Sequence, residues 1–191
     1  MSQIHIDLRT LHAALGGVIS GGQVLCAGPN HSKKDRSLAV KPTANGIVTY
    51  SFAGDDWLDC RDYVHDRLTF SYPDARSTRT AWDGHQEGIG VCRDFAHLSI
   101  ALCRCMNIPA RYCTGYLGDI GVPPVPDPMD FSAWFEVLLE GGWYTFDARH
   151  NKPRIGRILI ARGRDAADVA LSTSFGAAQL AEFKVITEEQ P

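Results

Sequence analysis

Hydrophobic residues recur every three or four positions near the middle of the chain, and this spacing predicts an amphipathic helix over residues 91–106. Its apolar face includes Phe95, Leu98 and Leu102. The helix is expected to end before Pro109, because a proline disfavours helical backbone at the residue before it. We expect the apolar face to pack into the core.

Shorter segments after this helix alternate between apolar and polar residues, which is typical of strands. We expect strands at residues 110–117, 131–139, 143–147, 157–161 and 182–187. The sequence Glu140-Gly141-Gly142 predicts a hairpin turn, and the Gly/Pro-rich residues 118–128 predict a loop. A helix followed by antiparallel strands indicates an α+β fold.

The first sixty residues are rich in turn residues and predict a small β-rich segment over residues 1–61, ahead of a domain at 62–191. Asn45-Gly46 is a strong hairpin signal between strands at 37–41 and 47–52. Asp55-Asp56 is the expected N-cap of a helix that runs to about Leu68.

Composition indicates one ordinary globular core. The chain has 191 residues, 45% of them hydrophobic, and a formal net charge of −3, which provides no general basic field for nucleic acid. The first residues lack the features of a signal peptide and no apolar run is long enough to cross a bilayer, so we expect a cytoplasmic protein. Most of the six cysteines are then expected to be reduced.

Cys92 is the strongest chemical feature of the sequence, because a glycine-containing turn precedes it and the predicted helix begins at it. The first amides of a helix have no internal partner and the helix dipole is positive there, so a cysteine at this position is readily ionised. Cys92 is therefore a candidate nucleophile, and the alternative is a buried structural cysteine. We expect Cys103, Cys105 and Cys113 to be structural, since their spacing does not match paired zinc ligands. Arg93 and Asp94 are expected to form a surface ion pair.

Several motifs together resemble the transglutaminase-like superfamily of cysteine enzymes with a papain-like mechanism. They are Gly90-Val91-Cys92-Arg93-Asp94-Phe95-Ala96-His97-Leu98, Ile108-Pro109-Ala110-Arg111-Tyr112, Gly115-Tyr116, Ala133-Trp134-Phe135-Glu136-Val137 and Trp143-Tyr144-Thr145-Phe146-Asp147. The resemblance covers about residues 62–187. It implies a papain-like transglutaminase core, in which the nucleophile helix packs on an antiparallel sheet.

In that family the nucleophilic cysteine is assisted by a histidine directly before Ala-Trp and by an aspartate after the next strand. The resemblance therefore implies roles for Cys92 and Asp147, and it places Ser132 at the histidine position. A serine hydroxyl is not basic near neutral pH and cannot replace an imidazole as the base. His85 and His150 are the candidate substitute bases.

His97 is a poor candidate base because it lies about 140° around the helix from Cys92.

The family resemblance implies amide-bond chemistry through a thioester at Cys92, either as a peptidase or amidase or by acyl transfer, on a peptide or protein. The alternative is a catalytically degenerate domain that retains the cleft and binds peptide or protein. We expect no cofactor and no metal, since no calcium loop is visible and the bacterial-type core does not need one.

The N-terminal segment has a separate resemblance, through residues 21–38 and 51–56, to the start of primase proteins with a Toprim domain. It implies a DNA-associated module fused to the core. Cys26 and His31 are too few for a closed zinc site, and the basic run at residues 33–36 is short, so nucleic acid is an unlikely partner. The segment can instead cover apolar surface of the core, which a homodimer would also cover.

Overall fold

The computed structural model of the protein describes residues 7–28, 32–43, 46–51, 57–125, 131–139 and 141–190. The described helices are α1 (Leu8–Leu15), α2 (Trp57–Arg67), α3 (Ala81–Glu87) and α4 (Cys92–Cys105), followed late in the chain by a 3-10 turn (Ala166–Asp168). The described strands are β1 (Val18–Ser20), β2 (Gln23–Cys26), β3 (Leu38–Thr43), β4 (Gly46–Ser51), β5 (Thr69–Phe70), β6 (Ile89–Gly90), β7 (Ala110–Leu117), β8 (Phe131–Leu139), β9 (Gly142–Phe146) and β10 (Arg157–Gly163).

Helix α4 packs on an antiparallel sheet of order β10-β7-β8-β9, which confirms the predicted α+β fold. Phe95 and Leu98 on the helix share an apolar cluster with Ala133, Phe135 and Val137 on β8. These three strand residues alternate along β8, so one face of the sheet meets the helix. The predicted helix at 91–106 agrees with α4, which Val91 and Met106 flank as caps.

The N-terminal strands β1 to β4 form a second antiparallel sheet in chain order. The predicted β-rich segment is therefore present, preceded by the helix α1, which the turn-rich sequence did not predict. Asp7 caps α1 by accepting a hydrogen bond from the Thr10 amide at 2.8 Å. Val24 and Val40 belong to the same apolar cluster as Phe95 and Phe135, so this sheet covers the core that α4 forms. The domain boundary at residue 62 stays a prediction.

Several of the predicted features lie outside the described residues, among them the turn residue Asn45, the N-cap Asp55-Asp56 and the end of the loop at 126–128. Glu140 of the predicted hairpin turn also lies outside them. Among the described residues no helix is long and apolar enough to cross a membrane.

The prediction of a strand at residues 182–187 is wrong, because this segment has neither helical nor strand structure. The ring of Phe183 packs on that of Phe131, with centroids 6.1 Å apart, at the start of β8. Both β7 and β8 are interior strands whose backbone groups pair with their neighbours. A segment that lies across the ends of interior strands finds no edge with which to form a ladder, whatever its β propensity.

Candidate active site

Cys92 is the first residue of α4, directly after the N-cap Val91. Its side chain is half-buried, and Sγ lies 3.8 Å from the carbonyl oxygen of Phe131 at the start of β8. The thiol therefore lies where the helix N-terminus meets the sheet, as the sequence predicted. The unsatisfied first-turn amides and the helix dipole favour an anion here.

Beneath this helix end lies the carboxylate of Asp94, whose side chain is only 1% exposed. Its Oδ2 accepts hydrogen bonds from the Val91 amide at 2.9 Å and from Arg79 at 3.0 Å, and Oδ1 accepts one from Arg93 at 2.7 Å. Arg79 is itself 3% exposed. The expected ion pair of Arg93 with Asp94 is present, but its expected surface location is wrong, because Asp94 is buried, where it accepts hydrogen bonds from the N-cap amide and a buried guanidinium.

Ser132 is the second residue of β8 and is buried. It follows Phe131, the residue whose carbonyl faces Cys92, and it pairs across the ladder with Gly115. Gly115 cannot hold a side chain, because a Cβ there would collide with the Ile158 carbonyl oxygen. The predicted third position of the triad is thus next in sequence to the residue that contacts the nucleophile, and this sequence supplies a hydroxyl there.

Asp147 follows the last residue of β9 and is buried among four hydrogen-bond donors. Oδ1 accepts from the amides of Arg149 at 3.0 Å and His150 at 3.2 Å, and Oδ2 accepts from His150 Nδ1 at 2.9 Å and Arg157 at 3.0 Å. Burial alone would raise the pKa of Asp147. The His150 and Arg157 hydrogen bonds and charges outweigh it and lower that pKa to about 2.

Among the candidate bases, His150 is the imidazole that contacts Asp147. An ionised carboxylate can only accept, so Nδ1 of His150 carries the proton of this contact and Nε2 is left as the acceptor of the neutral ring. His85 instead lies beside Tyr63, with Nε2 2.7 Å from the phenolic oxygen, and stacks on Trp82. Burial and the nearby Arg67 lower the pKa of His85.

His97, which the sequence excluded as a base, contacts Asp165 through Nε2 at 2.9 Å.

The triad roles of Cys92, Ser132 and Asp147 stay a prediction.

All six cysteines lie in the described part of the chain, and no disulfide joins them there. Cys26, Cys60, Cys103 and Cys113 are buried, whereas Cys105 is exposed. Burial raises the pKa of Cys113 to about 12, which fits a structural thiol rather than a reactive one. In the described residues no group of three or more His, Cys, Asp or Glu side chains could hold a metal ion.

The sequence did not identify Arg157 and Arg79 as members of this region. Arg157 reaches Asp147 from β10 and also lies over the Trp134 ring, 4.6 Å from its centroid. Arg79 reaches Asp94 from the turn before α3. Arg157 stands at the start of a predicted strand, and that position does not specify its partner.

The fold and the position of Cys92 define the class: an α+β protein in which a helix packs on an antiparallel sheet and begins at a cysteine. Residues 49–148, just over half of the chain, match the core model of the transglutaminase-like superfamily. The chain therefore belongs to the transglutaminase-like superfamily.

Two relatives are informative. A crystal structure named "a Putative Cysteine Protease from Cytophaga hutchinsonii" is 40% identical, with a TM-score of 0.57 over 64% of this chain and 42% of that one. An uncharacterized protein of Mycobacterium leprae (strain TN) is 37% identical over 84 residues, which are 42% of this chain and 30% of the relative. The chain thus spans less than half of either relative. These comparisons lend no support to the primase resemblance of the N-terminal segment.

Proposed function

We propose that the protein acts on amide bonds of a peptide or protein through a covalent thioester at Cys92. The observation that supports this most directly is the place of the thiol, at the first residue of α4 and 3.8 Å from the Phe131 carbonyl oxygen beside Ser132. Membership of the transglutaminase-like superfamily supports the same chemistry.

In the proposed reaction the Cys92 thiolate attacks the amide carbonyl carbon, and the tetrahedral intermediate collapses with loss of the amine. The departing nitrogen takes a proton from an acid, and a thioester remains on Cys92. Water then attacks the thioester in hydrolysis, or a second amine attacks it in acyl transfer, and the thiol is regenerated. Each half of the cycle needs one group that accepts and returns a proton.

We propose His150 for that proton transfer, with Asp147 as its orienting partner. The 2.9 Å contact between His150 Nδ1 and Asp147 Oδ2 supports this, because an imidazole held by a carboxylate is the base–orienter pair that such chemistry requires. In this proposal Ser132 occupies the usual histidine position without serving as the base.

The test measures amine release from casein for hydrolysis and hydroxamate formation from a glutaminyl peptide with hydroxylamine for acyl transfer. We expect Cys92→Ala to abolish activity and Cys105→Ala, the exposed thiol at the other end of α4, to retain it. If the Cys92→Ala variant is as active as the unmodified protein, the proposed thioester intermediate is refuted.

The second candidate function is peptide or protein binding by a catalytically degenerate site, and Ser132 at the usual histidine position favours it. The Ser132→His variant separates the two. Activity that appears only in this variant would support the degenerate site, whereas activity in the unmodified protein that requires His150 would support the enzyme.

A further inference from the structure

An aromatic cluster at the start of β8 joins Phe131 to the late part of the chain. Phe131, whose carbonyl oxygen faces the thiol, pairs across the ladder with Tyr116, and their rings meet edge to face with centroids 5.4 Å apart. The ring of Phe183 packs on that of Phe131, with an interplanar angle of 70° and 6.1 Å between centroids. Phe131 thus contacts the nucleophile through its backbone carbonyl and two further aromatic rings through its side chain.

The segment that carries Phe183 crosses the same end of the sheet. Residues 178–190 have no helix or strand structure and are mostly exposed. Val185 and Thr187 are half-buried, and Ile186 between them is 69% exposed, so alternate side chains face the molecule. Thr187 lies against Gly118, where an added Cβ would come within 2.7 Å of the threonine side chain. The segment therefore lies extended from the start of β8 to the end of β7.

We infer that Tyr116 and Phe131 form a substrate subsite for an aromatic side chain of an extended peptide, and that the chain's own residues 183–187 occupy this subsite as an intramolecular competitor. The inference rests on the proposed action on peptides. An extended segment whose one aromatic ring packs on Phe131, the residue that contacts the nucleophile, has the shape and chemistry of a peptide substrate. Aromatic edge-to-face contacts favour an aromatic side chain over an aliphatic one there.

A tethered segment competes at an effective concentration on the order of millimolar, so a free peptide should bind weakly while the segment is seated. Removing the Phe183 ring should relieve this competition. Phe183 is 39% exposed, so the substitution leaves the buried core intact. Phe175 is the matched control, because it lies in the same late part of the chain but is 97% exposed.

The experiment measures fluorescence anisotropy of a labelled peptide with the sequence of residues 179–190, added to the full chain. We expect the peptide to bind Phe183→Ala roughly tenfold more tightly than the unmodified protein or Phe175→Ala. A peptide with alanine at the Phe183 position should lose most of that affinity. Equal binding to all three proteins, or equal binding of the two peptides, would overturn the inference.

A second measurement follows the alkylation of Cys92 by iodoacetamide in a Cys105→Ala background. We expect Cys92 to be alkylated several-fold faster in the Phe183→Ala variant than in the Phe175→Ala variant, and added peptide to slow this alkylation again. Alkylation rates that do not differ would count against the subsite. Neither measurement needs turnover. A protein that binds the peptide without cleaving amides would refute only the proposed function, and an active protein without the peptide effect would refute only the subsite.

Discussion

His150 and Asp147 form a direct hydrogen bond, with Nδ1 2.9 Å from Oδ2, in the turn that follows β9. The two residues are close in sequence, and the turn folds back so that the amides of Arg149 and His150 bind the other carboxylate oxygen. Arg157 adds a fourth donor from β10. A carboxylate with this set of donors remains ionised and fixed, and it holds the imidazole in one orientation.

The lowered pKa of Asp147 predicts a pH-dependent contribution to stability. Its folded-state pKa of about 2 lies below the ordinary value of 3.8, so the ionised form stabilises the fold above about pH 4. That stabilisation is lost as pH falls from about 4 towards 2. We expect Asp147→Asn to lower the free energy of unfolding by about 2 kcal/mol at neutral pH, and by progressively less at lower pH.

Urea unfolding of both proteins at several pH values between about 2.5 and 7 measures this difference. Asp168→Asn is the control, since Asp168 also has a pKa of about 2 but pairs with Arg164 at the solvent-exposed surface. Solvent screening should make its effect much smaller. A stability difference for Asp147→Asn that does not change with pH would contradict the lowered pKa of Asp147 as its cause.

The sequence predicted those features that depend on local pattern. The three- and four-residue spacing at Phe95 and Leu98 identified α4, and the turn signals identified the strands on either side of residue 140. Cys92 was identified because it stands at the start of the predicted helix, whereas Asp147 was identified through the family resemblance. Contacts between distant segments have no local signal, so the partnership of Arg79 with Asp94 was missed and Arg93–Asp94 was placed on the surface. Residues 182–187 have strand-like composition, but pairing requires a free edge that only the tertiary structure reveals.

His150 should be essential for amide chemistry if it is the base. We expect His150→Gln to reduce kcat by at least about a hundredfold with little change in KM, because general base catalysis contributes 10²–10⁴-fold. The assay is amine release from casein, with circular dichroism to confirm folding. His12→Gln is the control, since His12 lies on the surface helix α1 and contacts the Gly17 carbonyl oxygen. Full activity of His150→Gln would assign the proton transfer to another group.

The Arg79–Asp94 pair predicts a large loss of stability when one partner is removed. Both side chains are almost completely buried, so Arg79→Met leaves a buried carboxylate without one of its two flanking guanidinium groups. We expect a loss of about 3 kcal/mol in the free energy of unfolding. Arg164→Met breaks an exposed pair of similar length and should cost only a small fraction of that. Urea unfolding compares the two, and similar losses would show that burial of Asp94 is not what gives the pair its importance.

Gly90 allows the backbone before Cys92 to pack closely against the side chain of Asp94. A Cβ at this position would lie 2.6 Å from the Cβ and 2.9 Å from Oδ2 of Asp94, so Gly90→Ala must displace the carboxylate that accepts the Val91 amide. We expect a loss of about 1–3 kcal/mol in the free energy of unfolding, and slower alkylation of Cys92 because the helix end shifts.

Gly84→Ala is the matched control, because its Cβ would meet only Arg79 at an ordinary 3.8 Å within α3. Replacing a helix-interior glycine by alanine should leave stability unchanged or raise it by up to about 1 kcal/mol, with no effect on the alkylation of Cys92. If Gly90→Ala behaves like Gly84→Ala in both measurements, the position of Cys92 does not depend on close contact between Gly90 and Asp94.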